Sequence, residues 1–265
     1  MRYFVEIVSD FLEVSKLEEN FILGNLSLLK STVKFNGSNN MLFCEDGVVL
    51  ENTAINFNGS NSFFYLSKSK FCLNFNIMDD SIIYIGKDNY FNGRLSAVVS
   101  EGKSLFIGNN SLFSSGIMIR TSDAHSIYDC SSKKRINRGG HILMGDHVWI
   151  GQDVFIAKNT FIGSGSIIGA KSILAGKKIE SNTVYAGNPA KKVKSSVFFT
   201  GDSAHSYSPS KDSFDSSVYI YEKSNVLGFN KVLDIFKGKY KYEEIIQLFK
   251  SFDLDKNRFY IGLNF

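Results

Sequence analysis

The chain has 265 residues, a hydrophobic fraction of 43% and a formal net charge of +4. This small positive excess does not indicate nucleic-acid binding, and no apolar run reaches the roughly 20 residues that a membrane-spanning helix needs. Three widely spaced cysteines indicate reduced thiols rather than a disulfide framework or a zinc site. Glu6 and Asp10 interrupt the start, where a signal peptide would be apolar. We therefore expect a cytoplasmic protein that binds no nucleic acid, spans no membrane and needs no metal.

The first predicted element is a short amphipathic helix. Phe4, Ile7, Val8, Phe11 and Leu12 fall on one helical face. A repeat structure needs its first layer covered, so we expect this helix to lie in an N-terminal cap over residues 1–30.

Residues 31–120 repeat with an interval of 22. The five residues that begin at Phe35 recur from Phe57, and the seven that begin at Ile85 recur from Ile107. A coil of about 18 residues plus a four-residue turn would give this interval, and Asn-Gly favours turns. The 24 Phe and 12 Tyr of the chain suit a solenoid that stacks rings in columns up its interior. We predict coils of one solenoid here rather than a separate domain.

A polar segment, residues 121–140, interrupts the repeat. Each side of a coil takes about six residues, so inward-facing positions should be separated by multiples of six. Ile119 and Met144 are 25 positions apart, one more than such a multiple, so residues between them must leave the coil. Long loops on a regular scaffold are usually functional or disordered. The sequence predicts a protruding loop, and His125 within it favours a function.

From Met144 to Lys194 the sequence repeats in blocks of six. An aliphatic residue opens each block, and a small residue follows it. The aliphatic positions are Met144, Ile150, Ile156, Ile162, Ile168 and Leu174. Neither a helix nor a half-buried strand has this period, whereas a short strand plus a corner does, as in parallel β-helices. The small neighbour lets the chain bend between flat faces. The solenoid domain is therefore predicted to span residues 31–194.

The C-terminal region, residues 195–265, is predicted to begin with a linker over 195–217. Two helices follow within 225–252, with Gly238 as a helix stop. Their mixed cations and aromatic rings fit docking of an anionic sugar polymer. The same pattern equally describes amphipathic helices that pack on the solenoid and keep a charged face in water.

The hexapeptide blocks run into the segment Asn182 to Lys191, and together they resemble the hexapeptide-repeat acyltransferases. The runs Thr121–Ile127, Arg135–Asn137 and Gly145–Gly151 look most like the bacterial surface-polysaccharide O-acetyltransferases, with the capsular sialic-acid branch closest. The match covers residues 85–195. The resemblance implies an all-β solenoid, a left-handed parallel β-helix, here with an N-terminal helical cap and a C-terminal helical extension. It says nothing about the C-terminal helices.

The resemblance implies that His125 is the catalytic base, because it occupies the position of the family's histidine in the run T-S-D-A-H-S-I. Imidazole titrates near neutral pH and can remove a proton from an attacking hydroxyl. The alternative is a loop histidine that satisfies a turn. Asp123 could orient the ring of His125 or cap its own backbone, and the sequence does not decide between these roles.

Trp149, the only tryptophan, lies 24 positions after His125. If about six residues are looped out, one coil remains, so Trp149 should lie on the adjacent coil. The resemblance implies that Trp149 lines the catalytic pocket. The alternative is packing at a subunit contact, and a pocket between subunits satisfies both. His147 is expected to be structural, because the repeat places it where the chain turns.

The resemblance implies a thioester donor, acetyl-CoA. Ala170 and Ala175 match positions where the pantetheine arm lies against the backbone, and Lys191 and Lys194 match basic positions near the nucleotide. Lysine offers a point charge where arginine would grip phosphate with two hydrogen bonds. A solvated basic tail is the alternative.

These features predict an O-acetyltransferase that uses acetyl-CoA and a sugar or polysaccharide acceptor. The flat sides of the prism should pair into a homotrimer, in which His125 of one subunit faces a corner of the next. A sugar-nucleotide or serine acyltransferase and a non-catalytic scaffold are the alternatives, because fold alone does not fix function.

Overall fold

The chain forms a three-sided parallel β-solenoid of about seven turns, followed by two helices. The computed structural model describes residues 7–9, 19–205, 229–238 and 240–251. The fold class expected from the sequence, an all-β solenoid, is confirmed. Among the described residues, no helix combines the length and apolar character needed to cross a membrane.

The strands are short and follow one another around the prism. The first eleven are β1 (Ile7–Ser9), β2 (Phe21–Leu29), β3 (Thr32–Phe35), β4 (Met41–Glu51), β5 (Ala54–Phe57), β6 (Phe63–Leu66), β7 (Lys70–Phe71), β8 (Leu73–Ile77), β9 (Ile82–Ile85), β10 (Tyr90–Phe91) and β11 (Leu95–Val99). The others are β12 (Leu105–Ile107), β13 (Leu112–Phe113), β14 (Met118–Arg120), β15 (Ile142–Met144), β16 (Trp149–Ile150), β17 (Phe155–Ala157), β18 (Thr160–Ile162), β19 (Ile167–Ile168), β20 (Ile173–Leu174), β21 (Lys178–Ile179), β22 (Thr183–Ala186) and β23 (Lys191–Ser195).

Three sheets make the three sides. Sheet A has the order β1-β2-β4-β6-β9-β12-β15-β18-β21, with β7 also paired to β4. Sheet B has the order β3-β5-β8-β11-β14-β17-β20, and sheet C the order β10-β13-β16-β19-β22-β23. From β9 onward each full coil runs from sheet A to sheet C to sheet B. The described pairs are parallel except β22 with β23, which is antiparallel.

The length of a coil changes along the chain. In the first half Phe35 pairs with Phe57 and Ile85 with Ile107, so the 22-residue interval is confirmed for both predicted pairs. The coil between them is shorter, because Phe57 pairs with Ile77 across 20 positions. In the second half Met144 pairs with Ile162, an 18-residue coil. Between them β14 pairs with β17 across 37 positions, because residues 121–140 are inserted in that coil.

The six aliphatic residues of the hexapeptide blocks all point inward and are fully buried. They are Met144, Ile150, Ile156, Ile162, Ile168 and Leu174. The small residues after them occupy corners where the next coil passes closely. A Cβ on Gly151 would lie 2.6 Å from the backbone nitrogen of Ala170, closer than real Cβ atoms approach. The small residue is therefore a steric requirement of the stacked corners.

Aromatic residues form columns both inside and outside the prism. Phe91 and Phe113 stack in the interior with centroids 5.0 Å apart, as the composition predicted. A second column lies on the outer face of sheet A, which the sequence analysis did not anticipate. Its neighbouring rings are 4.7 to 5.3 Å apart, and they are Phe43, Tyr65, Tyr84 and Phe106.

Two C-terminal helices cover this outer column. They are α1 (Phe229–Lys237) and α2 (Tyr242–Ser251). Their apolar sides are buried against it through Val232, Ile235, Ile245, Ile246 and Phe249. The predicted helical hairpin is confirmed, and α1 ends before Gly238, whose N–H donates to the carbonyl of Asp234 at 3.0 Å. The first four residues and the last residue of the predicted range 225–252 lie outside the described residues.

The N-terminal helix is not found where it was expected. Ile7–Ser9 is strand β1 and pairs in parallel with Leu26–Leu28 of β2. The β-branched pair Ile7 and Val8 next to an available sheet edge favours a strand over the helix that the periodicity suggested. The remainder of the expected helix lies outside the described residues. Phe21–Leu29, which was assigned to the cap, is strand β2 of the solenoid and pairs with β4.

Candidate functional site

The inserted segment, residues 121–140, is an ordered arm that leaves the prism edge where sheet B leads to sheet A. Its base is closed by a hydrogen bond from the Gly140 N–H to the Thr121 carbonyl at 2.9 Å. Tyr128 and Arg135 pair as an antiparallel bridge, so the arm folds back on itself. At its tip the carboxylate of Asp129 accepts from the N–H and hydroxyl of Ser132. The arm is therefore a hairpin rather than a disordered loop.

Asn137 organises the arm from within and is almost completely buried. Its amide Nδ2 donates to the carboxylate of Asp123 and to the backbone carbonyl of His125, both at 2.8 Å. Its Oδ1 accepts from the Ile127 N–H at 2.7 Å and from Arg135 Nε at 3.2 Å. One side chain thus fixes the backbone at and after His125 and binds the Asp123 side chain before it.

Two ion pairs brace the arm against the prism. Lys158 Nζ, at the corner of the following coil, lies 2.5 Å from Asp123 Oδ2 and donates to the Asn137 carbonyl at 3.0 Å. The bond from Lys158, and then that from Asn137, lower the pKa of the Asp123 carboxyl. On the other side Arg135 Nη2 lies 2.5 Å from Glu101, and the hydrogen bond from Arg135 lowers the pKa of Glu101.

His125 itself is exposed on this braced arm. Its backbone carbonyl is held by Asn137, whereas no described residue makes a hydrogen bond to its imidazole ring. Asp123 contacts Asn137 and Lys158, so in a single chain its carboxylate does not orient the His125 ring. Asp123 instead holds the arm in place through Asn137 and Lys158. Neither of the two roles considered from the sequence was this one.

Trp149 lies on the outer face of sheet C, in strand β16, and its side chain is exposed. It pairs in register with Leu112 on one side and Ile167 on the other. Its ring lines a cavity of about 760 Å³ together with Tyr90, Asn92 and the segment Phe199–His205. Cavities of this size that combine aromatic rings with a few polar groups are typical of small-molecule sites.

His147 is buried and holds the chain that covers this cavity. Its ring stacks on Phe199 with a centroid distance of 4.0 Å and an interplanar angle of 1°. Its Nε2 lies 2.9 Å from the Phe199 carbonyl oxygen. His147 has a φ of 53°, so it lies at a turn, as the repeat indicated, and its surroundings are those of a structural residue.

The residues expected to contact acetyl-CoA occupy three parts of the prism. Ala175 follows β20 and lies on the same prism edge as the arm and Lys158. Ala170 follows β19 at the corner between sheets C and B. Lys191 and Lys194 are exposed in β23, the last strand of sheet C, whereas the neighbouring Lys192 pairs with Glu180 at 3.1 Å.

One chain does not bring His125 and Trp149 together. Trp149 is on the coil after the one that carries the arm, as predicted, but it lies on sheet C, opposite the prism edge from which the arm leaves. The cavity beside Trp149 includes no residue of the arm. A site that uses both side chains therefore has to combine two copies of the chain.

Sequence reasoning missed Lys158 and the segment Phe199–His205. Lys158 is the third residue of the block that Ile156 opens and reads as an ordinary corner residue, so only the fold shows that it meets Asp123. The later segment was interpreted as the start of a linker because it is rich in Ser and Asp. The adjacent rings Phe198 and Phe199 were the available signal, since apolar side chains within a polar stretch favour burial. No group of three or more His, Cys, Asp or Glu that could hold a metal occurs in the described part of the chain.

The chain is similar to solved acetyltransferases. It shares 30% identity with the polySia specific acetyltransferase NeuO, with a TM-score of 0.64 over 79% of this chain and 94% of that one. The polysialic acid O-acetyltransferase OatWY is 23% identical, with a TM-score of 0.54 over 77% of this chain and 95% of that one, which shows the shared fold. No protein-family model matches the sequence, and no curated protein matches it.

Proposed function

The chain belongs to the hexapeptide-repeat acyltransferases, and on that basis we propose that it transfers an acetyl group from acetyl-CoA to a hydroxyl of a bacterial surface-polysaccharide sugar. The likeness to a polySia specific acetyltransferase supports a glycan acceptor, and capsular sialic acid is the first to test. The observation that carries the proposal is the exposed His125 on an arm that Asn137, Asp123 and Lys158 hold in place.

His125 acts in this proposal as the general base. Its neutral imidazole takes the proton of the sugar hydroxyl while that oxygen attacks the acetyl carbonyl carbon. A carbon–oxygen bond forms, the carbon–sulfur bond of the thioester breaks, and the imidazolium returns the proton to the departing thiolate of coenzyme A. We expect backbone N–H groups to stabilise the negative charge on the carbonyl oxygen during attack.

The other proposed site residues bind the two substrates. Trp149 shapes the acyl end of the site, and Ala170 and Ala175 leave room for the pantetheine arm against the backbone. Lys191 and Lys194 attract the phosphates of the nucleotide as point charges. The exposure of both lysines and their place on the edge strand of sheet C support this role.

We propose that the complete site forms between copies in a homotrimer. The arm exposes Ile127, Tyr128 and Ile136, each by more than half of its surface. Two stripes of partly exposed apolar residues run along the outer faces, one on sheet B and one on sheet C. The sheet B stripe is Met118, Phe155 and Ile173, and the sheet C stripe is Leu112, Trp149, Ile167 and Val184. Exposed apolar surface of this kind marks interaction sites.

The proposed reaction is tested with labelled acetyl-CoA and a panel of capsular polymers, with amino sugars as competing acceptors. We expect label on an oxygen of the polymer, and His125→Ala should reduce turnover by roughly 10²-fold or more. Full turnover by that variant would reject His125 as the base. Faster transfer to an amine than to any hydroxyl would instead favour a sugar N-acyltransferase.

A subunit-mixing experiment tests the shared site. His125→Ala and Trp149→Ala subunits are each expected to form weakly active assemblies. When the two are co-expressed, some sites receive the intact residue from each copy, and roughly a quarter of wild-type activity should return. Mixtures no more active than either parent would show that each site draws both residues from one copy.

A further inference from the structure

The segment Phe199–His205 turns back along the solenoid and forms a wall of the cavity beside Trp149. It is held at two points before it reaches that cavity. Val197 exchanges hydrogen bonds with Asn182 at 3.0 and 3.1 Å, and Phe199 is held by stacking on His147. The ring of Phe199 also lies 5.9 Å from that of Trp149. The wall is therefore built into the fold, although the sequence looks like that of a linker.

The end of this wall carries a hydrogen-bonded pair of polar side chains. Ser203 Oγ lies 2.7 Å from His205 Nδ1, and the Ser203 oxygen also accepts from the His205 N–H at 3.3 Å. This leaves Nε2 of His205 without a hydrogen-bond partner among the described residues. Depending on the tautomer, Nε2 donates or accepts, and a hydroxyl group satisfies it in either case.

The cavity has the composition of a carbohydrate site. In the single chain Tyr90 and Trp149 expose 59% and 41% of their surfaces, and in the proposed trimer a sugar held there would stack on these rings beside the contact between copies. Asn92, Ser114 and Thr200 add neutral groups that can bind hydroxyls. No lysine or arginine is among the described residues that line it. The cavity therefore suits the ring and hydroxyls of a sugar better than a carboxylate or phosphate.

We infer that the segment Thr200–His205 is an acceptor-binding wall, and that Ser203 and His205 bind a hydroxyl of the sugar unit held against Trp149. This inference rests on the proposed function, since it names the group of the acceptor that the site recognises. The wall directs any carboxylate of the acceptor away from the cavity, because Asp202 is its one acidic member. His205 binds the acceptor, while His125 remains the catalytic base.

The single tryptophan of the chain makes direct measurement possible, because Trp149 lines the cavity and no other tryptophan contributes to the fluorescence. The intact protein is titrated with a short oligosialic acid and, separately, with an uncharged maltooligosaccharide. We expect a saturable change in tryptophan fluorescence with at least one of them. Loss of one neutral hydrogen bond should raise the Kd about 3- to 10-fold in Ser203→Ala and His205→Ala.

Kinetics separate this binding role from a catalytic or structural one. Both variants should raise KM for the acceptor and leave KM for acetyl-CoA unchanged, with kcat altered less than about twofold. His205→Gln, which keeps a hydrogen-bonding group, should recover part of the affinity. Ser251→Ala, on helix α2 away from the cavity, is the matched control and should behave as wild type.

The outcomes are distinct. If the wild-type protein acetylates a glycan but Kd and acceptor KM are unchanged in both variants, the acceptor-binding wall is overturned and the proposed function stays intact. A His205→Ala enzyme that loses kcat while acceptor KM stays constant would overturn it in favour of a catalytic role. If the wild-type protein acetylates no glycan, the proposed function fails, yet a saturable titration that weakens in the variants would still support a saccharide site here.

Discussion

The ammonium of Lys158 lies 2.5 Å from the carboxylate of Asp123, although the two residues are 35 positions apart in the chain. This ion pair ties the start of the arm to the corner of the next coil. Asn137 contacts Asp123 through its side chain and Lys158 through its backbone carbonyl, so the three residues form one brace beneath His125. A catalytic group held this way needs little reorganisation when substrate arrives, because its position is set before binding.

Removing this brace should lower turnover without unfolding the protein. Lys158→Met leaves the Asp123 carboxylate without its cation and frees the base of the arm. We expect kcat to fall between about tenfold and 10²-fold, with KM for acetyl-CoA little changed. Hydrogen exchange should speed up in residues 121–140 alone. Lys171→Met is the matched control, because Lys171 pairs with Asp153 at 3.1 Å at another corner; an equal loss of kcat there would contradict the brace.

His141 should make stability depend on pH. It packs on Phe236, and its Nδ1 accepts from the Ser104 N–H at 3.1 Å. Burial, and then the charges of Lys103 and Lys237, lower the pKa of His141 to about 4 from an ordinary 6.5. Below pH 6.5 the unfolded chain therefore binds more protons than the folded one. The stability contributed by neutral His141 is complete above about pH 6.5 and is lost as the pH falls towards about 4.

Thermal unfolding at about pH 7.5 and about pH 5 measures this effect. The decrease in Tm between the two should be smaller in His141→Gln, which keeps an acceptor for Ser104 and cannot gain a proton. A decrease as large as that of wild type would mean that other groups cause the acid sensitivity.

The helices should matter for stability rather than for acceptor binding. Phe249 of α2 is 2% exposed, and its ring lies 4.7 Å from Tyr84 and 5.4 Å from Tyr65. Phe249→Ala should cost about 3–5 kcal/mol, the range for a large buried ring, measured by urea unfolding. KM for long acceptors should not change.

The polymer-docking alternative predicts a different result for exposed charges on the same helices. Lys237→Ala and Lys241→Ala would then raise KM for long acceptors, with an effect that weakens in added salt. We expect neither, because packing against sheet A already accounts for Phe236, Tyr242 and Phe249.

The exposed apolar side of the arm should control assembly. Ile136 is 64% exposed and lies beside Ile127, to whose carbonyl its N–H donates at 2.9 Å. Ile136→Asp places a charge in the expected contact and should shift the sedimentation profile from trimer towards monomer, with activity lost in parallel. Lys133→Asp, a charge change at the tip of the same arm, is the control. Trimers of unchanged stability in Ile136→Asp would show that the arm does not enter the contact.

The sequence predicts this fold well where each side chain has a strict position. Ile150 and Ile168 recur because only an inward aliphatic residue fits each side of the prism, so the pattern is local and readable. The helix predicted at Ile7–Ser9 was wrong, because a short apolar segment fits the period of a helix as well as that of a strand. Pairing with β2 makes this segment a strand. Contacts such as Asp123 with Lys158 depend on stacking of coils around an insertion. Nothing in the local sequence records them.

The helical cover on sheet A also limits the symmetry open to the protein. A closed ring of identical copies is held by a heterologous contact, in which one patch of each copy meets a different patch of the next. Because α1 and α2 occupy the outer face of sheet A, the two patches fall to sheets B and C. The sheet B stripe, which includes Met118, and the sheet C stripe, which includes Trp149, would then be the two complementary patches of the contact. A two-fold dimer would instead require one of these stripes to be complementary to itself.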